Sequence, residues 1–347
     1  MNLVFRVDAS TQIGTGHLMR CLALAQAWQN TEKQAIFLMS NSVPTLEQRL
    51  LSEGIKVVHL SVAWGSIEDA RETASFARQL DANWLVADGY HFGAEYQRVI
   101  KDAGLSLLCI DDYAHADHYY ADLVLNQNIY AHEGLYANRE PYTQLLLGLK
   151  YALLRREFWQ WRGWERETPT IARKVLVTLG GSDPDNVTLK VIKALQLVKL
   201  DALETVVVVG GSNPHYEQLQ SASLDSRFPI HLKRNVTNMP ELMAWADVAI
   251  ASGGSTSWEL AFMGLPSIVL VLADNQQAIA QTLNDMRLCF NLGEFEDISI
   301  SEISEVVSQL LLSPQTRSDI SRYGQLLVDG KGSIQIVTKL VSKICNL

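Results

Sequence analysis

Short apolar, β-branched runs alternate with longer amphipathic stretches through almost the whole chain, and this alternation constrains the fold most. A strand buried on both faces reads as a continuous apolar run, as residues 206–209 do, and strands that alternate with helices make parallel sheets covered on both faces. In the first half the pattern predicts strands at 3–8, 35–39, 57–60, 84–88, 106–111 and 123–126, with helices at 17–29, 44–52, 66–80 and 94–103. In the second half it predicts strands at 174–179, 205–209, 230–232, 248–251 and 267–271. The helices expected there are 185–198, 215–221, 239–245, 255–262 and 275–283. Two such sets imply an α/β protein of two doubly wound parallel-sheet domains, which suits 347 residues at roughly 150 per domain. The boundaries expected are 1–158 for the first domain and 173–330 for the second, with a linker rich in Arg, Glu and Trp at 159–172.

Hydrophobic residues make up 48% of the chain and charged residues 19%, enough apolar material for two cores. A net charge of -9 argues against a nucleic-acid or anionic-membrane partner, since either needs a basic field. It leaves room for a small basic pocket. The apolar stretch at 265–273 is broken by Pro266 and Ser267 and falls short of the roughly 20 residues of a membrane helix. The first residues read as a strand, so no signal peptide is expected and the setting expected is cytoplasmic. Cys21, Cys109, Cys289 and Cys345 are far apart, without metal spacing, and read as reduced thiols; no metal site and no cofactor are expected.

Ligands of open parallel sheets bind beyond the carboxyl ends of the strands, and there the chain carries unusual residues. After the first strand comes Gln12-Ile13-Gly14-Thr15-Gly16-His17-Leu18-Met19-Arg20. Gly14 and Gly16 permit a tight turn against a ligand. His17 then falls in the first helical turn, better placed for proton transfer than for packing, and a helix N-terminus favours the neutral imidazole a base needs. A dinucleotide fingerprint needs a third glycine where Met19 stands, which weakens a nicotinamide reading. Acids end other strands: Asp8, Asp88 before Gly89-Tyr90, and the pair Asp111-Asp112. Such carboxylates orient a histidine, bind sugar hydroxyls or stabilise positive charge at an anomeric carbon. Each alone also serves as a cap or turn residue.

The second half repeats the device. Ser252-Gly253-Gly254-Ser255-Thr256-Ser257-Trp258-Glu259 follows a strand and opens a helix, an arrangement that favours phosphate; Glu259 lies one turn in, within reach of ribose hydroxyls. Gly180-Gly181-Ser182-Asp183 is a second glycine pair at the same sheet edge. Gly210-Gly211 reads as a plain turn, and Asp274-Asn275-Gln276-Gln277 is a polar cluster able to reach a sugar and phosphate. No Walker A motif occurs.

These segments, from Phe5-Arg6-Val7-Asp8 through His17 to Ala25, with Asp88-Gly89-Tyr90, Asp111-Asp112, Leu125-Asn126-Gln127-Asn128, Gly180–Asp183 and residues 148–155 and 253–259, resemble UDP-2,4-diacetamido-2,4,6-trideoxy-β-L-altropyranose hydrolases of pseudaminic acid biosynthesis. The resemblance covers nearly the whole chain. It implies a GT-B architecture, two doubly wound domains facing across a cleft, with a C-terminal helix within 331–347 packing back on the first. It implies metal-independent hydrolysis of a UDP-sugar. By matching position the resemblance implies that His17 is the general base or water-orienting residue, and that Asp8, Tyr90 and Asn275 shape the sugar site. The substrate- and UDP-binding set expected is Gly14, Gly16, Arg20, Gly180, Gly181, Ser182, Gly253, Gly254, Ser255, Thr256, Glu259 and Gln276. The partner expected is the small-molecule UDP-sugar.

Three other readings compete. A GT-B transferase needs an acceptor groove, and the apolar runs 22–28 and 145–154 read as core instead. A hydrolysing UDP-sugar 2-epimerase shares the architecture but not this start motif. A non-catalytic nucleotide-sugar binding module has no use for a base at His17.

Overall fold

The computed structural model describes residues 2–10 and 15–344. It divides into two compact units, Met1–Arg156 with Gly330–Leu347, and Glu157–Asp329. The first unit runs β1 (Asn2–Val7), α1 (Gly16–Gln29), β2 (Gln34–Met39), α2 (Pro44–Ser52), β3 (Lys56–His59), α3 (Ile67–Gln79), β4 (Ala82–Asp88), α4 (Ala94–Asp102), β5 (Ser106–Ile110), β6 (Leu123–Asn126) and β7 (Gln144–Leu147). Its sheet order is β3-β2-β1-β4-β5-β6-β7, with every pairing parallel.

The second unit follows the same plan. It runs β8 (Lys174–Thr178), α5 (Val187–Leu197), β9 (Glu204–Val209), α6 (Tyr216–Leu224), β10 (Ile230–Arg234), α7 (Met239–Trp245), β11 (Val248–Ser252), α8 (Thr256–Phe262), β12 (Ser267–Val271), α9 (Gln277–Asp285), β13 (Phe290–Glu294), α10 (Ile300–Leu311) and α11 (Pro314–Leu327). Its sheet order is β10-β9-β8-β11-β12-β13. In each sheet the chain builds outward from one strand, then returns to that strand's other side. The reversal leaves a crevice at the carboxyl ends, between β1 and β4 and between β8 and β11.

Helix α1 is apolar on every side and almost wholly buried, because a final helix, α12 (Gly332–Ile344), covers the face turned away from the sheet. Gly332 permits that return. A Cβ there would stand 2.3 Å from the Ala152 carbonyl oxygen, so only a glycine backbone fits against residues 151–152. Leu22, Ala23, Leu24, Ala25, Ala27 and Trp28 are buried, as are Leu146, Leu149, Tyr151, Ala152, Leu153 and Leu154. Both apolar runs are core.

Residues 159–172, expected to link the domains, lie within the second unit. Arg166 fans across the carbonyl oxygens of Met243, Ala246 and Met263, satisfying groups that the ends of α7 and α8 cannot pair within themselves. Four elements were not anticipated. The strands β7 and β13 lie at sheet edges; β7 is only four residues long, and β13 is half-buried throughout. Helix α10 had a legible start signal in Ser299 and Glu302, which form a capping box, and α11 in Pro314 at its first turn.

Candidate active site

Asp88 is the last residue of β4, and β1 runs beside it in register, with Val7 paired to Asp88. The helix α1 opens just beyond β1. Its residues His17 and Arg20 are three apart, so they share one face and both turn towards Asp88. His17 Nδ1 lies 2.6 Å from Asp88 Oδ1. Arg20 grips the same carboxylate with Nε at 2.7 Å from Oδ2 and Nη2 at 2.7 Å from Oδ1. Cys21 adds a thiol bond to Oδ2 at 3.4 Å.

Arg20 Nη2 also stands 3.0 Å from His17 Nδ1. Both groups cannot donate to one another, and an ionised carboxylate only accepts. A proton on Nδ1 is donated to Asp88, and that tautomer leaves the ring's lone pair on Nε2. Burial alone would raise the Asp88 carboxyl, but the Arg20 guanidinium and then His17 outweigh it and hold it well below the usual carboxylate range.

Arg20 does a second thing with its remaining nitrogen. Nη1 lies 2.7 Å from Asp112 Oδ1, so one guanidinium joins two buried carboxylates. Burial opposes the charge on Arg20, and Asp112 and Asp88 raise its pKa nonetheless. Asp112 is likewise held low: burial pushes it up, and Arg20 more than compensates. Tyr90 donates its hydroxyl to Asp112 Oδ2 at 2.7 Å. Its ring meets the His17 ring edge-on, with centroids 4.9 Å apart and planes at 80°. Asn128 Nδ2 completes Asp112 Oδ1 at 2.8 Å.

The other acids have different surroundings. Asp8 is buried, and its carboxylate accepts from Arg6 Nη1 at 2.6 Å and from the backbone N–H of Ser40 at 2.6 Å. Arg6 in turn holds Asp69 with two bonds of 2.9 Å. Asp8 thus belongs to a buried brace that ties β1 to the start of α3. Asp111 accepts from the N–H groups of Tyr113 and Ala114 at 2.8 Å, and Ala114 has φ +60°, so this acid anchors a left-handed turn. Gly14 lies outside the described residues; Gly16 begins α1 and is exposed.

In the second unit Gly253 follows β11 directly and Ser255 precedes α8 without a side-chain cap, while the Ser257 and Trp258 N–H groups close on the Gly254 and Ser255 carbonyl oxygens at 3.0 and 3.1 Å. The space beside Gly254 is open. Ser255, Thr256 and Glu259 are half-buried along that start. Gln276 has a role the sequence did not suggest: its Oε1 accepts from the N–H groups of Gly253 and Leu272 at 3.1 Å, bracing the glycine turn. Asn275 is exposed on the adjoining short turn. Gly180, exposed with φ +96°, Gly181 and half-buried Ser182 follow β8 on the strand beside β11. A Cβ on Gly210 would lie 2.0 Å from the Gly181 carbonyl oxygen, so the third glycine pair packs against the second. Asp183 accepts from Val187 and Thr188 N–H at 2.8 and 3.0 Å and caps α5.

Sequence reasoning left the weight of Asp88 and Asp112 open and missed Asn128. The signal available was polarity at a wholly buried strand end: Asn126, Gln127 and Asn128 follow three apolar residues of β6, and buried amides need partners. Among the described residues no group of three or more His, Cys, Asp or Glu could hold a metal ion, and no helix is long and apolar enough to cross a membrane.

Two doubly wound units with polar, glycine-rich loops at their switch points define a protein of GT-B fold. Residues 175–324, most of the second unit, match the glycosyltransferase family 28 C-terminal domain. Among solved structures, MurG of Acinetobacter baumannii superposes with a TM-score of 0.70 at 17% identity, covering 99% of both chains. The resemblance read from the motifs is borne out by a relative. The UDP-2,4-diacetamido-2,4,6-trideoxy-β-L-altropyranose hydrolase of Campylobacter jejuni is 27% identical over 286 residues, 82% of this chain and 96% of that one. Protein MJ1062 of Methanocaldococcus jannaschii is 26% identical over 279 residues, 78% of this chain; the match spans 55% of that protein's own length.

Proposed function

We propose that this chain is a cytoplasmic enzyme that hydrolyses a UDP-sugar of the diacetamido-trideoxy-altrose class at the bond between the anomeric carbon and the diphosphate. The observation that carries the reading is the His17–Asp88 pair clamped by Arg20: with Nδ1 held 2.6 Å from a buried carboxylate, the ring turns Nε2 to the other side, where a base would act. The C. jejuni relative supplies the substrate class.

In this reading the start of α8 and Glu259 hold the diphosphate and ribose, with help from the Gly180–Gly181 turn. Oriented N–H groups there stabilise charge that develops on the leaving phosphate. Water loses a proton to His17 Nε2 as its oxygen bonds to C1. The C1–O bond to the β-phosphate breaks, and its electron pair leaves with UDP. A single displacement of this kind inverts C1 and passes through an oxocarbenium-like state. No step uses a metal.

The second reading is transfer of the sugar to an acceptor, favoured by the family 28 match over residues 175–324. One incubation separates them. Purified protein is mixed with the UDP-sugar, without acceptor, with EDTA, in water enriched in ¹⁸O, and followed by NMR. Hydrolysis gives UDP and a sugar labelled at C1. Label on phosphate means attack at phosphorus, and absence of turnover moves the transferase reading to first place.

A further inference from the structure

We propose that Asp69 is a specificity-determining residue: the charge it leaves unbalanced at the carboxyl edge of the first sheet disfavours a sugar that carries a carboxylate and favours positive charge at C1. The proposal rests on the hydrolytic reading above, in which the anomeric carbon reacts beside His17.

Asp69 lies on α3, wholly buried, and meets Arg6 in two bonds of 2.9 Å. Arg6 gives its third nitrogen to Asp8 at 2.6 Å. One guanidinium thus faces two carboxylates. Neutral groups fill other lone pairs of these acids and add no charge. Gly65 N–H and the Thr73 hydroxyl donate to Asp69 at 2.8 and 3.0 Å, and Ser40 N–H donates to Asp8 at 2.6 Å. His91 places Nε2 3.8 Å from Asp8 Oδ2, and that buried nitrogen makes no hydrogen bond. Burial pushes this imidazole down to about 4, so at neutral pH it stays uncharged and balances nothing.

Arg20 repeats the arithmetic with Asp88 and Asp112. Each network has one cation against two carboxylates, which leaves one negative charge in excess. The two networks are neighbours. Val7 pairs with Asp88 across β1 and β4, and Asp8 follows Val7, so the acids end adjacent strands about 4.8 Å apart. The side chains of Arg6, Asp8, Asp69 and Asp88 have no exposed surface, so salt in solution screens them little. At an effective dielectric of about 20, a unit charge roughly 10 Å away changes an equilibrium by about tenfold to twentyfold. A sugar carboxylate is repelled whenever it is bound. A neutral sugar is not, and it gains from the field only as positive charge develops with the breaking of the C1–O bond.

The test is titration calorimetry of the full chain and of Asp69→Asn with UDP-glucose and UDP-glucuronate, which differ only at C6, and with UDP as control. The parent should bind the glucuronate about tenfold more weakly than the glucose. Asp69→Asn keeps the side-chain shape and removes the charge, so it should narrow that ratio by about threefold or more and bind UDP as the parent does. Loosened packing would shift both sugars alike. With the diacetamido-trideoxy-altrose substrate, Asp69→Asn should lower kcat by about threefold to twentyfold and leave KM little changed. Equal affinity of the parent for the two sugars, or a ratio that Asp69→Asn leaves unchanged, overturns the proposal. If Asp69→Asn does not fold, Asp8→Asn carries the same comparison. Binding is read without turnover. Absence of UDP release by the parent therefore overturns the hydrolytic reading, while the affinity ratio alone decides the charge selection.

Discussion

Arg20 and Asp88 meet in two hydrogen bonds of 2.7 Å inside the first unit, and this fork fixes the carboxylate that in turn orients His17. A guanidinium is the one side chain that offers two parallel donors to a carboxylate and still has a third nitrogen for Asp112. The orientation of His17 is thus set through Asp88 by Arg20.

His17→Ala is expected to lower kcat by about a hundredfold to ten-thousandfold, the usual worth of a positioned base, and to leave UDP affinity unchanged. Rate measurements paired with UDP titration calorimetry check it. Equal loss of UDP binding would place His17 in the nucleotide site instead.

Asp88→Asn should retain the fold and lose most of the rate. An amide can offer its NH₂ to Nδ1, which places the imidazole proton on Nε2 and abolishes the base; the analogous change in a serine protease triad costs about ten-thousandfold. Nitrogen chemical shifts of the His17 ring would report the tautomer. An unchanged tautomer with unchanged rate would remove Asp88 from the mechanism.

Replacing Arg20 by alanine leaves two buried carboxylates without their cation. Breaking a buried pair in this way costs about 3–5 kcal/mol. Urea unfolding of Arg20→Ala should show that loss, and Arg20→Lys should recover only part of it, because an ammonium cannot hold both acids in the same geometry.

Acid stability follows from the same network. Asp88 and Asp112 have folded pKa values below their unfolded value of about 3.9, so just below that pH the unfolded chain binds more protons. The stability they contribute is fully present above about pH 5 and is lost as pH falls through the folded values. The urea midpoint should hold steady down to that point and then decline. A midpoint that rises on acidification contradicts the assignment.

Glu259→Ala should weaken UDP binding before it affects turnover at saturating substrate, since Glu259 lies one turn into α8 and far in sequence from the base. Product inhibition by UDP measures this directly. Inhibition equal to the parent's would assign Glu259 to α8 alone.

Most of the architecture was legible because it is written locally. Continuous valines at 206–209 mark a strand buried on both faces, Ser66 caps α3 as its position before an amphipathic run suggests, and the glycine pairs fall at strand ends. Among the elements that escaped was the edge strand β13, where Gly293 and half-burial erase the apolar signal. The use of particular polar side chains escaped too. Gln276 reads as a ligand contact in sequence, yet its carbonyl oxygen holds the Gly253 turn.

The sequence by itself determined the alternation of elements, the two sheets and the set of residues at their carboxyl edges, because side-chain period and turn chemistry act over a few neighbours. Only the tertiary structure decided how those residues pair. Asp8 is nine positions from His17, yet Arg6 takes it. Asp88 is 71 positions away, yet its carboxylate stands 2.6 Å from His17 Nδ1. The reason is sheet order: the chain leaves β1 for β2 and β3 and returns with β4 on the other flank, so Asp88 arrives beside the end of β1 and the start of α1. No local pattern encodes that return. It is set by which strands bury their faces best against each other.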